Sequence, residues 1–170
     1  ASCAYSSHPV DIYLIDNSPT DELEYLRDDE RVTYLKSKNN HGFGAGHNLA
    51  IKHFGLLDKY DYHIVLNPDI EFDESLIDNL QNYMSSNNEV GTLMPKVLNR
   101  DGTLQFARRL LPTPIDIFMK RFFPRSKRAS NYEMINIEPK KPVEVVALCG
   151  CFMFLRTLSL KSVGLFDEHY

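Results

Sequence analysis

The sequence runs to 170 residues, 43% hydrophobic and 25% charged, with a formal net charge of −4. That balance belongs to one ordinary globular domain with a real core, and it excludes a disordered tail, a collagen and a disulfide scaffold. No run nears the roughly 20 apolar residues of a membrane-spanning helix, and the acidic balance argues against a dedicated nucleic-acid binder.

Val10 to Ile15 is a short apolar run that stops at Asp16-Asn17-Ser18-Pro19, the pattern of a buried strand. Ser18 or Thr20 is placed to cap a short helix through Glu22, Leu23 and Leu26, and Val32 to Leu35 reads as a second strand. Asn39 to Gly46 is a glycine-rich loop, followed by helical spacing at Leu49, Ala50, Phe54 and Leu57. Tyr62 to Leu66 is a third strand, broken at Asn67-Pro68-Asp69 because proline cannot continue a central ladder. Leu76, Ile77, Leu80 and Met84 mark a helix over 73–84, and Val90 to Met94 a fourth strand. Val143 to Leu155 is a long apolar stretch interrupted at Gly150, with a short helix expected from Leu158 to Val163. Strands alternating with helices predict an α/β fold, a mostly parallel sheet flanked by helices.

Charge is segregated. Residues 103–142 hold nine basic and three acidic side chains, a net +6, which leaves −10 for the remainder. Within the basic stretch, Phe118 to Arg128 interleaves aromatic and cationic residues. Such a segment either rests on an anionic membrane interface or forms a loop with an apolar anchor and a solvated basic flank.

In open α/β sheets, ligands bind at the carboxyl ends of the strands. Three polar clusters fall there: Asp16-Asn17-Ser18, the loop from Asn40 to Asn48, and Asn67-Pro68-Asp69. Gly42, Gly44 and Gly46 let the backbone approach a ligand and open a helix N-terminus that favours a diphosphate, or they simply make a helix-entry turn. Neither a Walker loop nor the dinucleotide glycine spacing is present. Asp69 can give a hard divalent cation one of the few carboxylates it needs when phosphates fill its sphere, or it caps the following helix or turn. Asp16 can accept a hydrogen bond from a base N–H or close an Asx-turn. His41, His47 and His53 recur every six residues, off any one helical face, which disfavours zinc. Cys3, Cys149 and Cys151 are odd in number, so a disulfide framework is not expected and small buried thiols are. No serine elbow or cysteine–histidine pair points to nucleophilic hydrolysis.

Taken in order, six motifs carry a resemblance that covers almost the whole chain. They are Ile15-Asp16-Asn17-Ser18, Asn40 to Asn48, Leu66 to Asp69, Gly102 to Gln105 with Arg108, Arg109 and Pro112, Cys149 to Met153, and Val163 to Glu168. The chain resembles the family 2 inverting glycosyltransferases, in particular their rhamnosyltransferase-like branch. The resemblance implies a GT-A fold, the Rossmann-like plan of nucleotide-diphospho-sugar transferases. It implies a sugar moved from a nucleotide-diphosphate donor, dTDP-rhamnose or a UDP-sugar, to a polysaccharide or lipid-linked glycan at the cytoplasmic face of a membrane.

On that analogy Asp16 contacts the base. Asn17, Ser18, Gly42, Phe43, Gly44, Gly46, Asn48 and Asn67 line the nucleotide-sugar pocket. Asp69 holds Mg²⁺ or Mn²⁺, and Arg108, Gly150, Asp167 and Glu168 face the acceptor. The family pattern also has a strand of the type Val-Ile-Val-Thr-Tyr-Asn ahead of the first motif. Beyond Tyr170 it has a Glu-Asp-x-Asp segment that carries the general base. On this expectation residues 1–170 are the core of a single domain, inactive alone, and the open sheet edge favours association of two copies. A non-catalytic nucleotide-sugar-binding module of the same fold is the alternative. A nucleotidyltransferase is disfavoured because the glycine loop lacks the arginine and lysine expected near the first strand.

Overall fold

The computed structural model describes residues 6–103, 105, 108–109, 113–123 and 141–169, with only the backbone of Arg108, Arg109 and Lys120. The chain divides into two compact units, Ala1–Leu93 with Phe154–Tyr170, and Met94–Met153.

In the first unit, β1 (Ile12–Asp16) and β2 (Val32–Lys36) pair in parallel, Ile12 opposite Val32 and Asp16 opposite Lys36. The expected helix between them is one 3-10 turn, Glu24–Asp28, with no side-chain cap and no buried residue. With no residue fully buried, the stretch lacks the apolar packing that would extend it into a longer helix. Helix α1 spans Phe43–Phe54 and is followed by α2 (Leu56–Lys59) and β3 (Tyr62–Leu66). Ala50, Ile51 and Leu56 form a buried core on which Tyr13, Ile15, Phe54, Leu57, Tyr60 and Leu165 pack.

Helix α3 (Leu76–Ser86) buries Ile77 and Met84 and leads to β4 (Thr92–Leu93). Strand β7 (Phe152–Arg156) lies between β3 and β4, antiparallel to β4. The guanidinium of Arg156 donates to the carbonyls of Met84, Asn87 and Val90 at 2.7, 3.1 and 3.1 Å. It thereby meets one terminal carbonyl of α3, that of its C-cap Asn87, and that of Val90 in the loop beyond. Helix α5 (Thr157–Val163) closes the unit, its Thr157 hydroxyl bonded to the carbonyls of Tyr60 and Asp61.

The second unit holds β5 (Arg108–Arg109), antiparallel to β6 (Ala147–Leu148), and α4 (Pro114–Phe122). Thr113 and Asp116 make a reciprocal capping box, with proline at the first helical position. Thr-Pro-x-Asp is a recognisable helix start, a local signal carried by residues 113–116 alone. The fold is thus α/β. Among the described residues its strands form three short sheets, one parallel and at least two with antiparallel pairs, where one mostly parallel sheet was expected. Hydrophobic runs locate strands but carry no information on which neighbour pairs in which direction.

His63 on β3 keeps a buried Nε2 with no hydrogen-bond partner among the described residues. Burial, reinforced by the neighbouring His47, pushes its pKa from 6.5 down to about 4. The unfolded chain therefore takes up this proton first, and stability falls as the pH drops from 6.5 through 4. We expect the loss from this residue to reach about 2–3 kcal/mol by pH 4.5. Urea unfolding at pH 7 and 4.5 checks it: His63→Leu should lose less stability between the two than the parent, and equal losses would refute it.

Candidate functional site

The C-terminal ends of β1 and β2 and the start of α1 converge on one cleft. Gly42 caps α1 at φ 89°, a conformation that a side chain would strain, and its carbonyl accepts the helix's first bond, from Gly46 N–H at 3.1 Å. The expected loop thus ends at residue 42, and Gly44 and Gly46 sit inside the first turns of the helix. No acidic side chain stands in the helix's own first turn, so that turn places no carboxylate against the positive end of the helix. The cleft, about 370 Å³, is lined by Asn17, Ser37, His41, Ala45, Gly46, Leu49, Lys52 and Glu168. A Cβ at position 46 would stand 2.8 Å from Asn17 Nδ2, so the glycine keeps this wall open.

Asp16 is buried beneath one end of this region. Its Oδ1 accepts from Ser18 N–H at 2.8 Å and from the Ser18 hydroxyl at 2.6 Å, which is the Asx-turn. Its Oδ2 accepts from the Tyr34 hydroxyl at 2.6 Å and from Lys36 Nζ at 3.0 Å. Burial alone would raise this carboxyl's pKa. The four bonds, from the Ser18 hydroxyl, Tyr34, the Ser18 amide and Lys36, outweigh it and hold the pKa far below the usual carboxylate range. Every lone-pair site of the carboxylate is therefore used. The Ser18 hydroxyl also has the Thr20 carbonyl as a second acceptor at 2.9 Å, so its one proton has two places to go.

Asn48 is buried on α1 and bonds to the segment after α5: its amide meets the backbone of Phe166 and the carboxylate of Glu168. Glu168 also pairs with Lys52 at 2.8 Å, and these two contacts lower its pKa. Phe43, His47 and Phe166 form an aromatic group, with the Phe43 and His47 rings 4.6 Å apart. Asp167 is exposed and binds the His169 backbone. Asp16, Asn17, Ser18, Gly42, Phe43, Gly44, Gly46, Asn48, Asp167 and Glu168 thus all fall around β1 and α1. The link from Asn48 to Phe166 left no signal in the sequence beyond the presence of both motifs.

Asn67 and Asp69 lie in the turn after β3, where Ile70 N–H returns to the Asn67 carbonyl. The Asp69 side chain is exposed and has no hydrogen-bond or ion-pair partner among the described residues, and α3 is preceded by Ser75, so Asp69 caps no helix. Among the described residues no three acidic, histidine or cysteine side chains cluster as a ready-made metal cage. One exposed carboxylate oxygen donor nonetheless fits a hard cation whose other ligands are phosphates and water. Arg108 and Gly150 belong to the second unit, in β5 and in the turn before β7; the Arg108 side chain lies outside the described residues. Cys149 is exposed and Cys151 buried, while Cys3 and Pro112 lie outside the described residues.

The model of the family described as glycosyl transferase family 2 matches residues 3–163, and the chain belongs to that family. An N-acetylglucosaminyl-diphospho-decaprenol L-rhamnosyltransferase of Mycobacterium tuberculosis is 28% identical over 179 residues, covering 97% of this chain and 58% of that protein. The same enzyme name and figures hold for a second strain of that organism. The low-salt glycan biosynthesis hexosyltransferase Agl10 of Haloferax volcanii is 32% identical over 95 residues, 55% of this chain and 30% of that protein. The chain thus spans a little over half the length of the rhamnosyltransferases it matches.

The Asp16 network gives a direct expectation for stability. Asp16→Asn replaces two acceptor oxygens by one and turns an amide N–H toward a donor, leaving Lys36 or Ser18 unmatched. A cost of about 3 kcal/mol is expected from the loss of a buried charge partner. Urea denaturation at pH 7 measures it, and a change below about 0.5 kcal/mol would show the network to be dispensable.

Proposed function

From its place in glycosyl transferase family 2, we propose that the protein transfers a sugar from a nucleotide-diphosphate donor to a glycan acceptor, with inversion at the anomeric carbon. The observation that supports this reading is the convergence of three of the six ordered motifs, through Asn17, His41 with Ala45 and Gly46, and Glu168, on one cleft at the ends of β1 and β2 and the start of α1. A GT-A plan is the arrangement that membership implies. The rhamnosyltransferase relative, matched along nearly the whole chain, favours dTDP-rhamnose as donor and a lipid-linked acceptor, with a UDP-sugar as the other candidate.

The donor's base sits at the end of β1. When the Ser18 hydroxyl turns wholly to the Thr20 carbonyl, one lone pair of Asp16 Oδ1 is released to accept a base N–H. Asn17, Ser18 and the start of α1 surround the ribose and diphosphate, whose charge the helix N-terminus favours. Asp69, with Asn67 beside it, holds Mg²⁺ or Mn²⁺; when bound, the cation neutralises charge that gathers on the departing diphosphate. Arg108, Gly150, Asp167 and Glu168 are assigned to the acceptor side.

Calorimetric titration of the folded chain with dTDP, UDP and GDP, with and without Mn²⁺, tests the donor site. One nucleotide should bind with a clear dependence on Mn²⁺, and Asp69→Asn should weaken that binding by about tenfold or more, the loss of one charged ligand. No binding of any nucleotide to the folded chain would overturn the reading.

Contact with a lipid surface is the second part of the proposal. Ile115, Phe118 and Phe122 recur at helical spacing on α4 and are 58%, 52% and 63% exposed, next to Phe123 at 56%. The basic residues that follow, up to Arg128, lie outside the described residues but belong to the net +6 stretch. Among the described residues no helix is long and apolar enough to cross a membrane. Flotation with vesicles containing phosphatidylglycerol should carry the protein upward, neutral vesicles should not, and Phe118→Ser with Phe122→Ser should abolish it. Equal flotation with both lipids, or an unaffected double variant, would refute this docking.

A further inference from the structure

Asn48 sits on the buried side of α1, only 2% exposed, where an apolar residue would ordinarily pack. Its Nδ2 donates to the Phe166 carbonyl at 2.7 Å and to Glu168 Oε1 at 2.8 Å, while its Oδ1 accepts from Phe166 N–H at 3.0 Å. An amide side chain is thus engaged by both backbone groups of one residue, as a neighbouring strand would engage it. Only an uncharged amide of this length has an acceptor and two donors to offer in that arrangement. One turn earlier, on the same face, a Cβ on Gly44 would fall 2.5 Å from the Asp167 carbonyl oxygen and 3.2 Å from Phe166 Cβ. Backbone atoms cannot move aside as a flexible side-chain tip can. The two positions therefore act as a pair: Gly44 lets the segment in, and Asn48 holds it there.

We infer that Asn48, with Gly44, is a positioning residue whose role is to fasten residues 166–168 onto α1 and so fix the wall of the nucleotide cleft. Asn48 does this without touching the donor itself. The inference rests on the proposed function only for the identity of the cleft's ligand. Phe166 is seated by the Phe43 and His47 rings at 6.0 and 5.8 Å, and Leu165 joins the core of Ala50, Ile51 and Leu56. With the backbone so fixed, the Glu168 carboxylate is delivered to the cleft, where Lys52 meets it at 2.8 Å. The exposed Lys52–Glu168 pair is too solvated to hold the segment unaided.

Hydrogen exchange at the Phe166 amide reads the fastening directly, and nucleotide titration reads its consequence. Asn48→Ala and Gly44→Ala should each speed Phe166 exchange by about tenfold or more, as loss of a protecting bond does. Both should weaken the nucleotide that binds the parent by a similar factor. Alanine is the better helix former, so Gly44→Ala should keep α1 protected and carries the test alone if Asn48→Ala does not fold. Asn48→Asp keeps the acceptor for Phe166 N–H but sets a second carboxylate against Glu168. Its faster exchange at pH 7, corrected for intrinsic rates, should be relieved as the pH falls into the carboxylate range, which a packing defect would not show. Unchanged Phe166 protection in Gly44→Ala overturns the inference. So does weaker nucleotide binding by Asn48→Ala with Phe166 protection intact, because Asn48 would then touch the ligand. If the parent binds no nucleotide, the functional reading falls, while the exchange results still decide whether the clamp exists.

Discussion

A buried side-chain amide on α1 that bonds both backbone groups of Phe166 ties together residues 118 positions apart, and much of the first unit follows from that bond. A buried amide left unpaired costs about 1–3 kcal/mol, so the helix and the segment either meet or both are destabilised. Their meeting fixes what neighbouring positions can be. Residue 44 must lack a side chain, Leu165 must be apolar to enter the core, and Phe166 must be flat enough to lie beside Phe43 and His47. The glycines of this motif thus serve helix–segment packing at 44 and cleft width at 46, while residue 42 alone needs the positive φ that marks the helix start.

Asp16 imposes the same logic on charge. A carboxylate taken out of water must be met by donors, and β2 supplies two of them, Tyr34 and Lys36, because the parallel register sets residue 36 opposite residue 16. Lys36 also donates to the Thr20 carbonyl and stands 3.5 Å from Asp21, so one cation gathers the whole turn that follows β1. Lys36 and Lys52 are consequently both committed to carboxylates, Asp16 and Glu168. On the proposed reading, the backbone amides at the start of α1 add positive potential for an incoming anion.

Much of this was legible in the sequence, and the reason differs by feature. Tyr62–Leu66 appeared as a strand because a short apolar run bounded by a proline turn has few other readings. The polar clusters at strand ends were visible because such residues are unusual beside apolar runs. Three things were hidden. The pairing direction of β4 with β7 depends on partners distant in sequence, which periodicity does not encode. The start of α1 at Phe43 was obscured because glycine reads as loop, and only the contacts of Gly44 and Gly46 explain why a helix tolerates them. The partner of Asn48 could not be found because hydrogen bonding between distant segments leaves no local pattern.

The division of charge noted in the sequence coincides with the division of the fold. Residues 94–153, which form the second unit, carry eleven basic and five acidic side chains, a net +6, so the first unit bears −10. The residues assigned to the donor all lie in the acidic unit, although a nucleotide diphosphate is itself an anion. A unit of that charge repels its ligand at long range and has to supply attraction locally, within about a Debye length of 8 Å at physiological salt. On the proposed reading helix N-terminal amides provide part of it, and a divalent cation held by Asp69 would supply the remainder, turning an exposed carboxylate from a repulsive group into a bridge. The basic unit, by contrast, is electrostatically suited to anionic lipid or to an acceptor that carries phosphate. The assigned acceptor residues then divide in a telling way. Arg108 and Gly150 belong to the basic unit, but the clamp on Phe166 keeps Asp167 and Glu168 against α1 in the acidic unit. If sugar transfer is the activity, that clamp holds acceptor-side carboxylates in register with the donor cleft independently of the basic unit.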